Sequence, residues 1–188
     1  MKRRDAKQRV LQRNKTSAFC ALVRVFACAL CSVVCAREAA SDSGKAQKML
    51  DMYAEYKKDA YPDAPDITVD SLLTLKERAD VVIVDAREKK EMKVSMIPGA
   101  ISQKQFEKDR DRYANCAVIA YCTIGYRSGE YVGKLRERGI EAYNLIGSAL
   151  AWAHKGKQFV DSKGDTTKSL HVYGKKWDLA PYGYETVW

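Results

Sequence analysis

Histidine is scarce in this chain of 188 residues: His154 and His171 are its two copies. A Ser–His–Asp or Cys–His triad therefore has little to draw on. His171 lies in an apolar stretch and reads as a packed or surface residue. No His, Cys, Asp or Glu group has the spacing of metal ligands, so no metal is expected. Long apolar runs are also lacking. Ala18–Ala36 is interrupted by Arg24, leaving the 12 uncharged residues Val25–Ala36, whereas a membrane-spanning helix wants about 20. No internal repeat is found. There is no basic stripe with interleaved aromatics, which argues against nucleic acid as a partner. The net charge of +9 does not revive that reading, because residues 1–36 hold eight basic residues and one acid (+7), leaving 25 basic and 23 acidic residues (+2) for the rest.

What is present at the N-terminus reads as an export segment. A basic stretch, Met1–Lys15, precedes the apolar run, and Val34-Cys35-Ala36 is a small-residue cleavage site. Cleavage after Ala36 would release the protein. Lipidation at Cys28, Cys31 or Cys35, or retention of residues 1–36 as an anchor, are the alternatives. The expected location is thus outside the cytoplasm, periplasmic or on the cell envelope, with membrane contact only through this segment. Four of the six cysteines (Cys20, Cys28, Cys31, Cys35) belong to it and do not form a disulfide framework. The remaining two, Cys116 and Cys122, flank Ala117–Tyr121. As a strand, that run would hold their Cα atoms roughly 20 Å apart, too far for a disulfide, which needs less than about 7 Å.

Four segments are expected: 1–36 for export, 37–65 as a linker (Ala40–Lys45) and a helix (Ala46–Ala60), 66–156 as the main domain, and 157–188 as an aromatic extension packed on it. Tyr61-Pro62-Asp63-Ala64-Pro65 stops the helix. Ile67-Thr68-Val69 reads as a short strand, and Asp70 or Ser71 as the cap of a helix reaching Glu77. Val81–Asp85, Ala117–Tyr121 and Ala142–Leu145 are continuous apolar runs suited to strands buried on both faces. Between the last two, Ser128–Arg138 reads as a helix ended by Gly139. The alternation implies an α/β domain with a parallel sheet. Gly156–Lys168 reads as a loop and Leu170–Tyr173 as a last strand. Tyr173, Trp177, Tyr182, Tyr184 and Trp188 would be costly in a free tail.

Ligands of such sheets sit at the carboxyl ends of the strands, and Cys122 follows Tyr121 there. It opens the loop Cys122-Thr123-Ile124-Gly125-Tyr126-Arg127, with a helix beginning near Ser128. Loop N–H groups and the helix dipole both stabilise negative charge on sulfur. Gly125 permits a tight curl, and Arg127 can meet an anionic donor. The bland alternative is a small buried cysteine at a strand end.

The chain resembles the rhodanese family over about Ile67–Gly156. The carriers are Val81–Arg87 (VVIVDAR), Glu91 with Ile97–Ala100 (IPGA), Tyr121–Ser128 (YCTIGYRS) and Tyr143–Trp152 (YNLIGSALAW). The resemblance implies a three-layer fold with about five parallel strands between helices. It also implies a sulfurtransferase, working without metal or organic cofactor, in which Cys122 takes sulfane sulfur from thiosulfate or a persulfide and passes it to a thiol or to cyanide. By that likeness Thr123, Ile124, Gly125, Tyr126, Arg127 and Ser128 hold the persulfide, and Asp85 and Arg87 are structural support. Met96 stands where the family often has histidine, and Gly147-Ser148 where it often has two glycines. Related phosphatases of the cell-cycle type have five residues between Cys and Arg; here there are four. Two further readings stay open: a non-catalytic binding module of the cell envelope, and a thiol redox protein, which would lack a resolving cysteine.

Overall fold

Two uninterrupted runs of β-branched and small apolar residues, Val81–Asp85 and Ala117–Tyr121, set the centre of the domain. In the computed structural model, which describes residues 38–77 and 80–188, they are strands β2 and β4, paired in parallel from Val81 opposite Ala117 to Asp85 opposite Tyr121. The expected export segment, residues 1–36, lies outside the described residues. Residues 42–188 form one unit, to which the following applies.

Strands β1 (Asp66–Ile67), β5 (Ala142–Leu145) and β3 (Ile101–Ser102) complete a five-stranded sheet in the order β1-β5-β4-β2-β3, parallel throughout. Alternate side chains of β2 and β4 enter different cores, as the two-residue strand period requires. Ile83, Ile119 and Tyr121 join Leu72, Leu145, Leu150 and Met49 on one face. Val82, Val84, Val118 and Ala120 join Phe106, Val132 and Leu135 on the other. The helices are α1 (38–60), α2 (Val69–Lys76), α3 (Lys89–Val94), α4 (Gln103–Lys108), α5 (Tyr126–Glu137) and α6 (Ser148–His154), and each except α3 supplies a residue to these cores. Helices thus flank a parallel sheet, the architecture expected from the sequence.

The C-terminal segment is part of this unit. Strands β6 (Phe159–Val160) and β7 (Thr166–Thr167) form a hairpin, where a plain loop was expected. Strand β8 is Ser169–His171, slightly earlier than expected, and pairs with β9 (Glu185–Val187). Phe159, Leu170, Val172, Leu179 and Ala180 enter the first core, with Trp177 and Tyr184 packed on it; Tyr182 and Trp188 stay exposed. Two other expectations shift. Residues 42–45 are helical rather than a linker, because the C-terminal segment ties them down: Lys45 Nζ donates to Ala180 O at 2.8 Å, and Tyr182 N–H to Asp42 Oδ1 at 2.9 Å. Thr68 ends β1 and caps α2, its hydroxyl accepting from Ser71 N–H at 3.1 Å, so the helix begins at Val69.

Asp85 ends β2 wholly buried, and its carboxylate grips Arg87 at 2.7 Å. The same guanidinium donates to Ser95 O at 2.6 Å, and the Tyr121 hydroxyl donates to Asp85 and accepts from Ile97 N–H. One carboxylate thus ties β2, β4 and the segment after α3. Removing it would strand a buried cation. Asp85→Ala is expected to lower unfolding free energy by roughly 3–5 kcal/mol, read as a shift in urea midpoint at unchanged slope; a loss below about 1 kcal/mol would contradict this account.

Candidate active site

Cys122 follows the fully buried Tyr121 and is itself 1 % exposed. Its backbone is fastened from behind by α6. Ala149 N–H donates to Cys122 O at 3.1 Å and Leu150 N–H to Thr123 O at 3.2 Å. Cys122 N–H donates to Ser148 Oγ at 3.1 Å, and that hydroxyl donates to Leu145 O. Ser148 adopts φ +51°, following Gly147 at +64°. This reversal brings the first N–H groups of α6 against the loop.

Gly125 completes the curl at φ +119°. A Cβ there would lie 2.4 Å from the Tyr53 ring, so glycine is required for conformation and for space. Its N–H donates to Cys122 Sγ at 3.2 Å. Its carbonyl accepts from Asn144 Nδ2 at 3.0 Å and from Gly129 N–H at 2.9 Å. With Gly125 as N-cap, α5 starts at Tyr126, two residues earlier than expected. Tyr126, Arg127 and Ser128 are therefore its first turn, and the loop proper is Cys122–Gly125. The positive end of a 12-residue helix faces the sulfur.

Arg127 is not free. It forms a two-pronged pair with the fully buried Glu91, Nη1 to Oε2 at 2.6 Å and Nη2 to Oε1 at 2.8 Å. Thr123 Oγ1 touches both, at 3.3 Å each. Burial disfavours charge on the guanidinium, but the Glu91 bonds and the nearby Cys122 sulfur outweigh it and raise its pKa above the ordinary value. Burial likewise pushes the Glu91 carboxyl up, yet the Arg127 bonds, the Glu88 N–H and the charges of Arg127 and Arg87 hold it below its ordinary range.

Cys122, Thr123, Ile124, Tyr126 and Arg127 line one pocket of about 330 Å³, together with Tyr56, Tyr173 and Trp177. Ser128 turns away, donating to Asn144 Oδ1 at 2.7 Å. Asn144 continues through Tyr53 to Asp66 and Lys57, a chain that braces the loop from beneath. Asp85 and Arg87 belong to their own buried network and do not line the pocket. Cys116, just before β4, and Cys122 are both free thiols. The sequence reading did not find Ser148 as a loop clamp, Glu91 as the partner of Arg127, or Tyr56, Tyr173 and Trp177 as walls. Only the aromatic density of the C-terminus hinted at the last two. Among the described residues no cluster could hold a metal ion.

Residues 68–155 match the rhodanese-like domain family. A protein of Allochromatium vinosum named a sulfurtransferase is 33% identical over 100 residues, covering 48% of this chain and 88% of that protein. The chain belongs to the rhodanese-like family. Among solved structures, a thiosulfate sulfurtransferase from Pseudomonas aeruginosa is 24% identical with a TM-score of 0.49; the match covers 63% of this chain and 23% of that one. A rhodanese-like domain protein from Staphylococcus aureus is 28% identical with a TM-score of 0.44, over 52% of this chain and 98% of that one.

Because the Glu91 carboxyl is held below its ordinary range, its stabilisation is complete above that range and is lost as pH falls toward the folded value. Glu91→Gln is expected to cost roughly 2–3 kcal/mol at neutral pH. The gap to wild type should narrow as pH drops below about 4. Chemical unfolding across pH checks this, and a gap independent of pH would contradict it.

Proposed function

We propose that this protein is a sulfurtransferase in which Cys122 carries sulfane sulfur as a persulfide. The observation that carries the reading is the position of Cys122: it lines a pocket, with Sγ 3.2 Å from the Gly125 N–H, before the N-terminus of α5. The named relative and the family support the same activity class. With thiosulfate, the Cys122 thiolate attacks the outer sulfur. A new S–S bond forms, the S–S bond of thiosulfate breaks, and sulfite leaves with the bonding pair. The Cys122 persulfide anion then passes its outer sulfur to a thiol or to cyanide and returns as the thiolate. No oxidant and no cofactor enter this cycle. The loop donors of Thr123–Ser128 hold the negative outer sulfur in both halves of it.

Arg127 supports sulfur rather than phosphoryl chemistry. Four residues separate it from Cys122, and its fork is occupied by Glu91. A phosphate site would need that fork for two oxygens of the ligand. The proposed setting is the periplasm or cell envelope, reached through residues 1–36, with small sulfur donors and thiol acceptors as partners.

Residues 37–188 loaded with thiosulfate should gain the mass of one sulfur atom in an intact-mass measurement. Cyanide should remove the gain, and Cys122→Ser should not show it. A wild-type protein that gains no sulfur from thiosulfate or from a small persulfide would overturn the proposal in favour of a binding module.

A further inference from the structure

Three of the eight residues that line the Cys122 pocket come from outside residues 68–155, the span of the family match. Tyr56 is supplied by α1, and Tyr173 and Trp177 by the C-terminal segment. Tyr173 is placed with effort. Its backbone is left-handed, φ +67°, a conformation that costs a tyrosine energy and persists where the surroundings enforce it. Its N–H is held by His171 Nδ1 at 3.0 Å. The result lays its ring over the Arg127 guanidinium, 5.2 Å from centroid to Cζ, and edge-on to Trp177 at 5.5 Å. Across the pocket Tyr56 and Tyr126 meet edge-on at 5.4 Å. Exposed Lys176 holds its ammonium 5.8 Å from the Tyr56 ring and 5.5 Å from the Trp177 ring.

This arrangement suits bare thiosulfate poorly. A compact dianion gains most from cations that are free to meet it, and Arg127 is already spanned by the Glu91 carboxylate and covered by Tyr173. Exposed Lys176 stands against two of the lining rings, Tyr56 and Trp177, and four of the eight lining residues are aromatic. A volume of about 330 Å³ lies within the range of pockets that enclose organic ligands. Resting on the sulfurtransferase reading above, the geometry points to an organic sulfane-sulfur donor: a mono-anionic thiosulfonate or persulfide whose apolar group packs between Tyr56, Tyr173 and Trp177, with its charge toward Lys176 and the loop donors. Tyr173, Trp177 and Lys176 are then specificity residues contributed by the C-terminal segment. With a thiosulfonate, the Cys122 thiolate attacks the terminal sulfur. The Cys122 S–S bond forms, the donor S–S bond breaks, and the organic sulfinate leaves with the electron pair; charge balances without oxidant or proton.

Benzenethiosulfonate and thiosulfate form a matched pair of probes, because an aryl group replaces one oxygen beside the same sulfane sulfur. Thiocyanate formation from each, with cyanide as acceptor, yields two kcat/KM values and their ratio. Trp177→Ala is expected to lower the ratio of aryl donor to thiosulfate about tenfold, and Trp177→Phe to restore most of it. Lys176→Glu, at an exposed position that does not endanger folding, is expected to raise KM for the aryl donor about fivefold; it decides the matter if Trp177→Ala does not fold. A wild type that turns over both donors, with the ratio unchanged in Trp177→Ala or KM unchanged in Lys176→Glu, overturns this inference and leaves the sulfurtransferase reading standing. A wild type that turns over neither donor overturns both.

Discussion

Two hydrogen bonds from the first turn of α6, to the carbonyls of Cys122 and Thr123, hold the loop on which the rest of the site depends. A backbone that curls around a sulfur atom must send its carbonyls somewhere, and buried carbonyls left unmet cost free energy. Here α6 takes them from behind, and Ser148 takes the Cys122 N–H. The loop is thereby held in the curl that lets the Gly125 N–H meet the sulfur. Gly125 serves that curl because the Tyr53 ring fills the space a side chain would need. The reversal at Gly147 and Ser148 aims the α6 turn. Two short helix starts, one before the sulfur and one behind it, thus make a rigid cup from backbone groups.

The two arginines of the site region are each spent on a carboxylate. Arg87 is locked to Asp85 beneath the sheet end, and Arg127 to Glu91 beside the loop. Glu91 has a second duty. It accepts the Glu88 N–H at 2.9 Å and so closes the capping box of α3. One carboxylate therefore couples the start of α3 to the cation at the pocket. Buried ion pairs add little net stability over apolar packing, but losing one partner is costly. Their role here is to fix orientation, and that of Arg127 makes it a wall of the pocket rather than a free anion hook.

The central strands were legible because burial on both faces demands runs such as Val81–Val84 and Ala117–Ala120, which few other structures need. The position of Cys122 at a strand end before a helix was legible for the same reason. The start of α5 was misplaced by two residues because the left-handed Gly125 that caps it has no mark in the letters Gly-Tyr-Arg. Residues 42–45 looked like a linker because their helix is supported by Ala180 and Tyr182, far away in the chain. The same holds for Tyr173 and Trp177. Their aromatic character announced packing, but only the course of β8 and the turn after it carries them to Cys122. The central strands left a clear pattern in the sequence, whereas the returning C-terminal segment showed by its aromatic density that it packs but not where.

A crystal structure of the protein after sulfur loading tests the central claim most directly. The account predicts one additional sulfur atom about 2.05 Å from Cys122 Sγ, pointing into the pocket and accepting hydrogen bonds from the N–H groups that follow Cys122. Sulfur bound at Cys116 instead, or an added atom at Cys122 turned away from those donors, would contradict it.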